Sequence, residues 1–445
     1  MTAHRYVLIS LVIIFFLRFL VEDYGFIGSA LNLLIEGVCF LCLLIVFIRI
    51  ARGAKLYVST KYLVIFVLFF ASTAVGAVVN SVQPGAVLSG IRNTYMYMPF
   101  FLLPLVWRFS DEQFNQQLKL IILCAVVQIP VVVWQYMFGY SRGTMDHVVG
   151  TLMVGSYLSI FLVCCMSIAW GYYLRGQLSL RRFLFLCLIF LAPTTVNETK
   201  GTLLLIPMGF LIPALVLSVH RRNFTMLAMT MIIVVAMATL FMLLFSVFLS
   251  DMKNTNLMSF FLDGSFIDYL YSGLDENAPR DYGVLVDVGR IDAIMYAIKY
   301  ITKDVVHFFF GYGVGNVSES ASSLIAGDFD KYAHMAPQMT TLSYMLWEYG
   351  AFGVGLVLVG IWMIMKDSFR LAGSESRYAV FACGWAGVVG VYFLSLPYKN
   401  ILISDVNGIL FWYFSGIVVS EGCRLAQENS LEAAPSYGSK PSQWA

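Results

Sequence analysis

The chain has 445 residues, of which 60% are hydrophobic and 12% are charged, and its formal net charge is +2. This composition excludes a water-soluble globule, because too little polar surface is available to cover a core of that size. The small net charge, with basic residues spread along the chain, also argues against nucleic-acid binding. The sequence therefore predicts an all-α polytopic membrane protein in contact with a lipid bilayer.

Twelve apolar stretches approach the roughly 20 residues that a helix needs to cross a bilayer. They cover residues 6–21, 27–48, 62–79, 93–107, 118–138, 149–174, 183–196, 202–219, 224–250, 340–365, 378–397 and 406–420. The first lacks a small-residue cleavage site, which indicates a retained span rather than a signal peptide. Three regions follow from this pattern: spans in 1–250, a long polar connection at 251–338, and spans in 339–420. Residues 421–445 form a predicted cytoplasmic tail, polar from Gln427 onward and expected to be disordered.

An even number of spans places both termini on the same side of the membrane. The alternate connections that share this side are rich in basic residues, which is typical of the cytoplasmic side. These residues are Arg49, Arg52, Lys55, Lys61, Arg175, Arg181, Arg182, Arg221, Arg222, Lys366, Arg370 and Arg377. Both termini are therefore predicted to be cytoplasmic. The opposite connections, predicted to lie outside, are 22–26, 80–92, 139–148, 197–201, 251–338 and 398–405.

The long connection (residues 251–338) contains one periodic stretch. Its apolar residues recur at spacings of three and four, which places them on one face of a helix. They are Ile291, Ile294, Met295, Ile298, Ile301 and Val305. We expect this helix to lie in the membrane interface or to cover the mouth of the span bundle. Because a connection of this length in a compact protein is usually functional or disordered, the periodicity favours function.

Three cations on the predicted outer side need an explanation, because the positive-inside bias disfavours them there. Arg92 enters the fourth span, Lys200 lies in the short turn between the seventh and eighth spans, and Arg290 opens the predicted helix. Charged groups at the membrane edge are costly, and they tend to be paired or to mark a substrate path. A bound anion would pair with all three. Alternatively, Arg92 extends to the interface or caps a helix end, Glu198 neutralises Lys200, and Asp287 or another acidic residue of the long connection neutralises Arg290.

Arg18 and Glu36 are charged residues inside the first two predicted spans. A buried charge in a membrane is compensated by a partner of opposite sign. The sequence favours a structural ion pair between these two residues over a site.

Three histidines fall on the predicted outer side, at His147, His307 and His334. None has the spacing to a cysteine or carboxylate that a metal site requires, and the sequence predicts no metal or other cofactor. A neutral imidazole suits general-base catalysis near pH 7. His334 is the candidate because it shortly precedes the tenth span, and the alternative is an ordinary surface histidine.

The glycine-rich stretch 311–315 has the order Gly-Tyr-Gly-Val-Gly. It has no G-x-G-x-x-G register and no preceding strand, so it is not a nucleotide-binding loop. We expect these glycines to let the backbone turn tightly.

The order of these features resembles the superfamily of O-antigen ligases and Wzy-type polysaccharide polymerases. The resemblance rests on the twelve-span layout with one long outer connection, and on Lys200-Gly201, Arg290 and its helix, stretch 311–315, His334, and the stretch Trp-Glu-Tyr-Gly-Ala-Phe-Gly at 347–353. The motifs are confined to about residues 139–201 and 289–353. Two features depart from the family pattern: Lys200 stands where the family has arginine, and His334 lies earlier than the family histidine.

The resemblance implies a metal-independent, inverting glycosyltransferase in a bacterial inner membrane. Such an enzyme moves a glycan from an undecaprenyl diphosphate carrier to an acceptor sugar hydroxyl at the periplasmic face. By this resemblance Lys200 and Arg290 would hold the diphosphate, and His334 would act as the base. Arg92 is added to the predicted diphosphate site because its charge lies on the same predicted side. The implied partners are the lipid-linked donor glycan, the acceptor glycan, the bilayer and, for a polymerase, a chain-length regulator.

Several functions are compatible with this sequence. A polymerase is favoured over a ligase because the histidine and the basic-Gly turn depart from the signature, and polymerases tolerate more divergence. A transporter would show an internal repeat and charges near mid-membrane, whereas these cations lie at one edge. A structural membrane scaffold leaves the outer cations unexplained.

Overall fold

The computed structural model describes residues 3–23, 33–138, 148–197, 199–249, 288–319 and 327–432. Within these ranges the regular structure is helical, without a strand, so the predicted all-α class is confirmed for this part of the chain. Nine of the described helices are long and apolar enough to cross a membrane. The count of twelve spans stays a prediction.

The helices are numbered in chain order over the described residues. They are α1 (Ala3–Arg18), α2 (Leu33–Ala51), α3 (Thr60–Val79), α4 (Pro84–Tyr95), α5 (Pro99–Val106), α6 (Asp111–Phe138), α7 (Gly155–Leu174), α8 (Leu180–Val196), α9 (Thr202–Arg221), α10 (Thr225–Leu249), α11 (Arg290–Ile301), α12 (Val305–Phe310), α13 (Phe329–Tyr332), α14 (Thr341–Ala372), α15 (Ala379–Ser395) and α16 (Asp405–Glu432). A π-helical turn (Phe19–Asp23) follows α1, and a 3-10 turn (Ala333–Met335) follows α13.

The predicted fourth span at 93–107 is wrong as a single helix. The chain instead forms two short helices, α4 and α5, with Pro84 and Pro99 at their first positions. Proline is favoured at the start of a helix and lacks the N–H that a continuing helix would use, so Pro99 favours the start of a new helix over the continuation of α4. A prediction based on apolar length alone missed this break. The segment predicted as an outer connection at 80–92 is therefore partly helical.

The last helix is longer than predicted. It continues through Cys423 and Gln427 to Glu432, so residues 427–432, predicted as part of a disordered tail, are helical. The rest of the tail, at 433–445, lies outside the described residues.

The centre of the bundle is formed by α7, α9 and α15, which pack at close range through small residues. A Cβ atom added to Gly171 of α7 would come within 2.4 Å of the backbone nitrogen of Gly384 in α15. The hydroxyl of Ser167 donates to the carbonyls of Gly209 (2.8 Å) and Gly384 (2.9 Å), one on each neighbouring helix. Small residues and hydrogen-bonded hydroxyls are the usual way that membrane helices associate, because hydrophobic burial does not drive their contact inside lipid.

The outer surface of the bundle carries large apolar side chains. Phe47 of α2, Val67 of α3 and Ile232 of α10 are 60%, 62% and 71% exposed. Such a surface is unfavourable in water and suits hydrocarbon. It supports a multi-pass membrane protein.

The described connections predicted to share the outer side meet at one end of the bundle. The amide of Asn80 donates to the carbonyl of Gly311 at 3.0 Å. The hydroxyl of Tyr157, just inside α7, donates to the carbonyl of Asn400 at 2.8 Å. This end of the bundle is called the loop end below.

The connections predicted to be cytoplasmic meet at the opposite end. Arg377 pairs with Asp111 and donates to the carbonyl of Phe109 at 2.8 Å. The ammonium of Lys55 donates to the side chain of Gln427 at 2.9 Å. We call this the basic end. The alternation of connections between two ends therefore agrees with the predicted order.

Candidate functional site

The glycine-rich stretch of the long connection fits into a kink of α14. The kink lies at Gly350, whose φ of 63° and ψ of −170° interrupt the helix. A Cβ atom added to Gly350 would lie 2.6 Å from the nitrogen of Gly311. The carbonyl of Trp347, one turn before the kink, accepts a hydrogen bond from the N–H of Tyr312 at 2.7 Å. The long connection thus supplies a donor to a helix carbonyl next to the interruption.

Two further glycines of this stretch lie against α3 and α4. Gly313 and Gly315 have φ values of 88° and 77°, and Gly311 has 64°, a region that residues with a Cβ rarely adopt. A Cβ atom added to Gly315 would lie 1.8 Å from the carbonyl oxygen of Ala86. The prediction that these glycines allow tight turns is confirmed.

Glu348, next to the kink, is a charged residue with only 1% exposure. Its carboxylate lies near the backbone amides of Gly315 and Val317 and the hydroxyls of Ser318 and Tyr344. Neither carboxylate oxygen forms a hydrogen bond within the described residues. The carboxylate of Glu348 therefore faces backbone N–H groups at the end of the glycine-rich stretch.

The helix predicted in the long connection exists as α11 and begins at Arg290, as expected. Its covered face is different from the predicted one. Ala293, Ala297 and Ile301 are buried, and α11 packs on α14, whereas Met295 and Ile298 are 55% and 40% exposed. The small alanines allow close approach to α14, and Ile301 of the predicted face is buried with them, whereas Met295 and Ile298 point away.

Arg290 is positioned by Tyr398, in the connection between α15 and α16. Its Nε donates to the carbonyl oxygen of Tyr398 at 3.1 Å, and its guanidinium carbon lies 4.8 Å from the centre of the ring of Tyr398. Arginine commonly stacks on aromatic rings in this way, because its planar cation is attracted to the face of the ring.

The residue after Lys200, Gly201, lies against the ring of Tyr398. A Cβ atom added to Gly201 would lie 2.6 Å from Cζ of Tyr398, so the ring rests on the backbone of Gly201. Lys200 is half-buried in the turn directly before it. The fold therefore brings the turn that carries Lys200 and the guanidinium of Arg290 to one aromatic ring. Glu198, the predicted alternative partner of Lys200, lies outside the described residues, as does Asp287.

A third cation, Lys399, belongs to this group and was not predicted. Burial, and then the positive charge of Arg290, lower the pKa of Lys399 below its usual 10.5. The ammonium lies 5.9 Å from the centre of the ring of Tyr157. The signal that selected Arg92, Lys200 and Arg290, a cation on the predicted outer side near a span end, also applies to Lys399. We call Arg290, Lys399 and Lys200 the cation group.

Lys399 also lines a polar cavity of about 260 Å³ at the loop end. The polar and charged residues around it are Arg18, Thr151, Tyr157, Gln338, Lys399, Asn400, Ser404, Asp405 and Asn407. One wall, the turn at 149–151, is held by two buried glutamines of α6. Gln128 accepts from the N–H of Thr151 at 2.8 Å, and Gln135 accepts from the N–H of Gly150 at 2.8 Å. The wall of the cavity is thus fixed before any ligand binds.

The ion pair predicted between Arg18 and Glu36 is wrong. Arg18 pairs with Asp405 at 2.5 Å, in the wall of the cavity, and Glu36 pairs with Arg92. The charge of Arg92 is therefore compensated by a carboxylate of α2. Its predicted role in diphosphate binding stays a prediction.

The segment that carries His334 lies between the C-terminal end of α11 and the polar cavity. Before His334, the ring of Tyr332 contacts the ring of Tyr300, with centroids 6.2 Å apart. After it, the carbonyl of Gln338 accepts from the amide of Asn400 at 3.4 Å. His334 is exposed on this segment. Its role as the base stays a prediction.

A second histidine at the loop end has a carboxylate partner. His307 forms an ion-pair contact with Asp304, and its ring stacks on Tyr312 with centroids 4.1 Å apart. Hydrogen bonds from the backbone N–H and then the ring of His307 lower the pKa of Asp304. This pair was not predicted, although its spacing of three residues places both side chains on one turn of a helix and would have indicated it. Tyr300, next to this cluster, is ten residues after Arg290, which corresponds to about 15 Å along α11, so the pair is remote from the cation group.

The outer aromatic residues are mostly structural. Trp347 and Tyr97 are 0% and 2% exposed, so neither presents a ring face to a sugar. Tyr97 donates to Asp405, and Trp347 packs among tyrosines, including Tyr332 at 5.1 Å. These two rings therefore serve packing and are not available for stacking on a sugar.

No protein-family model matches the chain, and no curated protein is significantly similar to it. The chemistry of the site therefore has to be argued from its own geometry. Two lysines and an arginine gathered beside a preformed polar cavity can stabilise an anion, because fixed charges in a poorly hydrated site need no reorganisation when the anion forms. The arginine can offer a planar pair of donors and the lysines act as point charges.

Proposed function

We propose that this protein is a membrane glycosyltransferase that moves a glycan from undecaprenyl diphosphate to an acceptor sugar hydroxyl at the periplasmic face of a bacterial inner membrane. The observation that carries the proposal is the cation group: Arg290, Lys399 and the turn of Lys200 all lie around Tyr398, beside a polar cavity. A diphosphate is the anion in lipid-linked glycan donors. The layout of spans and motifs supports the same class.

The proposed reaction is a direct displacement. The bond between the anomeric carbon and the diphosphate oxygen breaks, and the electron pair stays on the diphosphate. The acceptor oxygen forms the new bond from the opposite side, with inversion, and its proton passes to a base, for which His334 is the candidate. Arg290, Lys399 and Lys200 stabilise the charge that develops on the leaving diphosphate. The acceptor sugar would occupy the cavity, whose Asn400, Asn407 and Tyr157 suit sugar hydroxyls.

The test of this site replaces Arg290, Lys399, Lys200 and His334 singly by alanine in the producing bacterium. We expect loss or strong shortening of the polysaccharide on a gel for Arg290→Ala and Lys399→Ala, with normal amounts of protein in the membrane. The matched control is Lys303→Ala, an exposed cation of the same segment, which lies 3.6 Å from the centre of the ring of Tyr300. An unchanged ladder for both Arg290→Ala and Lys399→Ala would remove the diphosphate site.

Within this class we propose a polymerase, with an O-antigen ligase as the alternative. The two differ in the acceptor, which is another lipid-linked glycan for a polymerase and lipid A core for a ligase. Deletion of the protein separates them. Loss of long chains, with a single repeat still attached to the core, identifies a polymerase. Loss of all attached glycan, with lipid-linked polymer accumulating, identifies a ligase.

A further inference from the structure

A second cavity, of about 470 Å³, lies at the basic end, opposite the cation group. Four cations from separate parts of the chain line it: Arg49 at the end of α2, Lys55 in the following connection, Arg108 after α5, and Arg424 in α16. The basic-end connections were predicted from their positive charge, but a charge bias between compartments requires no cavity. The proposal below is independent of the proposed function.

The cations of this cavity are held in place by aromatic rings and amides. The guanidinium carbon of Arg49 lies 4.5 Å from the centre of the ring of Trp107. The ammonium of Lys55 donates to Gln427 at 2.9 Å. Within the described residues, neither Arg49 nor Lys55 has a carboxylate within ion-pair distance. Their positive charges are thus oriented but not compensated.

The other two cations share one buried carboxylate. Arg424 lies 2.5 Å and Arg108 lies 3.6 Å from the same oxygen of Glu421. Arg424 is itself only 5% exposed, and its guanidinium carbon lies 4.3 Å from the centre of the ring of Tyr57. Glu428 is the carboxylate among the lining residues. Four cations therefore face two carboxylates, and the cavity keeps an excess of positive charge.

The cavity adjoins the surface that faces lipid. Phe47 and Ile48, directly before Arg49 in α2, are 60% and 42% exposed. An acyl chain lying along this face of α2 would bring its headgroup to Arg49 and Lys55. Basic pockets between membrane helices at the cytoplasmic side are typical sites for anionic headgroups.

We propose that this cavity binds a phosphate group, carried by an anionic phospholipid of the leaflet at the basic end. Lys55 and Arg49 make the exposed contacts with the phosphate oxygens, and Arg424, fixed between Glu421 and the ring of Tyr57, forms the rigid wall. The phosphate offsets the excess of positive charge. A soluble phosphate compound offers the same oxygens, so the experiment has to separate the two sources.

The experiment compares phosphatidylglycerol with phosphatidylcholine as ligands of the purified full chain, by native mass spectrometry in detergent. Inorganic phosphate is tested separately by its effect on the thermal unfolding midpoint. The variant is Arg49→Gln with Lys55→Gln, and the matched control is Arg181→Gln with Arg182→Gln, two exposed arginines at the start of α8 that do not line the cavity. All four positions are exposed, so both variants are expected to fold.

We expect wild type and control to bind phosphatidylglycerol at least tenfold more tightly than phosphatidylcholine, and the cavity variant to lose about thirtyfold in affinity for phosphatidylglycerol. If lipids bind without preference but phosphate stabilises wild type and not the cavity variant, the phosphate site holds and its ligand is soluble. The proposal is overturned if the cavity variant binds phosphatidylglycerol as tightly as the control does. It is also overturned if neither phosphatidylglycerol nor phosphate distinguishes wild type from the cavity variant.

Discussion

Lys399 illustrates how a functional cation can oppose folding. Its side chain is half-buried and lies near the guanidinium of Arg290, and both effects disfavour the charged form. A bound diphosphate would offset both, because an opposite charge favours the charged ammonium. A residue that weakens the empty protein and strengthens the complex is typical of a site rather than of a scaffold.

Replacement of Lys399 by methionine tests this at the level of one residue. Methionine keeps an apolar chain of similar length without the charge, so we expect the midpoint of thermal unfolding to rise by about 1 to 2 °C while glycan transfer falls at least tenfold. The folded pKa is lowered, so the charge penalty is complete below that pKa and is absent above 10.5, where the lysine is neutral in both states. The gain in stability should therefore shrink as the pH rises toward 10.5.

The measurement is a thermal melt of both proteins in the same detergent over a range of alkaline pH. Lys331→Met serves as the control, since this lysine is exposed. A Lys399→Met protein that is less stable than wild type at neutral pH would show that the ammonium stabilises the fold instead.

Sequence alone predicted part of this site and missed part of it for an identifiable reason. Arg290 and Lys200 were found because they are cations on the predicted outer side, and the fold brings their segments to one ring. The same signal applies to Lys399, which was overlooked, whereas Tyr398 carries no such signal and joins the group only through contacts between distant segments. The same limit applies to Arg18, whose nearest carboxylate along the first spans is Glu36 but whose partner in space is Asp405.

At the scale of elements, the kink of α14 and the glycine-rich stretch form one unit. Gly350 and Gly311 have positive φ and lie back to back, so each occupies the space that a side chain of the other would need. Apolar length predicted α14 as one uninterrupted span, because a single glycine is compatible with a membrane helix. The interruption becomes visible only when the partner stretch is seen beside it.

Replacement of Gly350 by alanine should therefore break this unit. The added Cβ meets backbone atoms of Gly311 and Phe309 at 2.6 Å, and the φ of 63° is strained for alanine. Together these effects should cost more than about 3 kcal/mol, seen as a fall of several degrees in the unfolding midpoint or as loss of folded protein. Gly360→Ala in the same helix is the matched control, because nothing lies within 4 Å of its added Cβ. Equal behaviour of the two variants would contradict the packing described here.

The helix α11 shows a different limit of pattern reading. Its existence and its start at Arg290 followed from the apolar spacing, but its covered face did not. Pattern reading weights large apolar residues, whereas close packing on α14 selects Ala293 and Ala297. The larger side chains Met295 and Ile298 remain on the surface, where the membrane interface is the expected environment.

At the scale of the whole molecule, the described connections separate into two ends with different chemistry. The loop end holds the described part of the long connection and the polar cavity, and the basic end holds the second cavity. The described contacts agree with the predicted alternation of connections between two ends, and which end faces the cytoplasm stays a prediction. The broken fourth span and the extended α16 were missed, because proline positions and polar helix ends are weakly encoded in apolar length.

The orientation of these ends can be tested with single cysteines. Seven of the eight native cysteines are buried and Cys423 is partly exposed, so Cys423→Ser gives a background of low reactivity. We expect Lys303→Cys, at the loop end, to react with a membrane-impermeant maleimide in cells with a permeable outer membrane. Glu375→Cys, at the basic end, should react only after the inner membrane is opened. Both positions are exposed, and the reverse pattern would invert the proposed topology.

One contact described above bears on how such proteins can change over evolution. Two successive carbonyls bind the two ends of the segment 290–341: Tyr398 accepts from Arg290 at 3.1 Å, and Lys399 accepts from the N–H of Thr341 at 3.2 Å. Lengthening a chain between two fixed anchors costs free energy only logarithmically, about 0.6 kcal/mol for each doubling. Insertions and deletions between the anchors should thus be tolerated where they leave α11 and the glycine-rich stretch in place, so we expect relatives to differ in the length of this segment and still keep the same pair of carbonyls at its base.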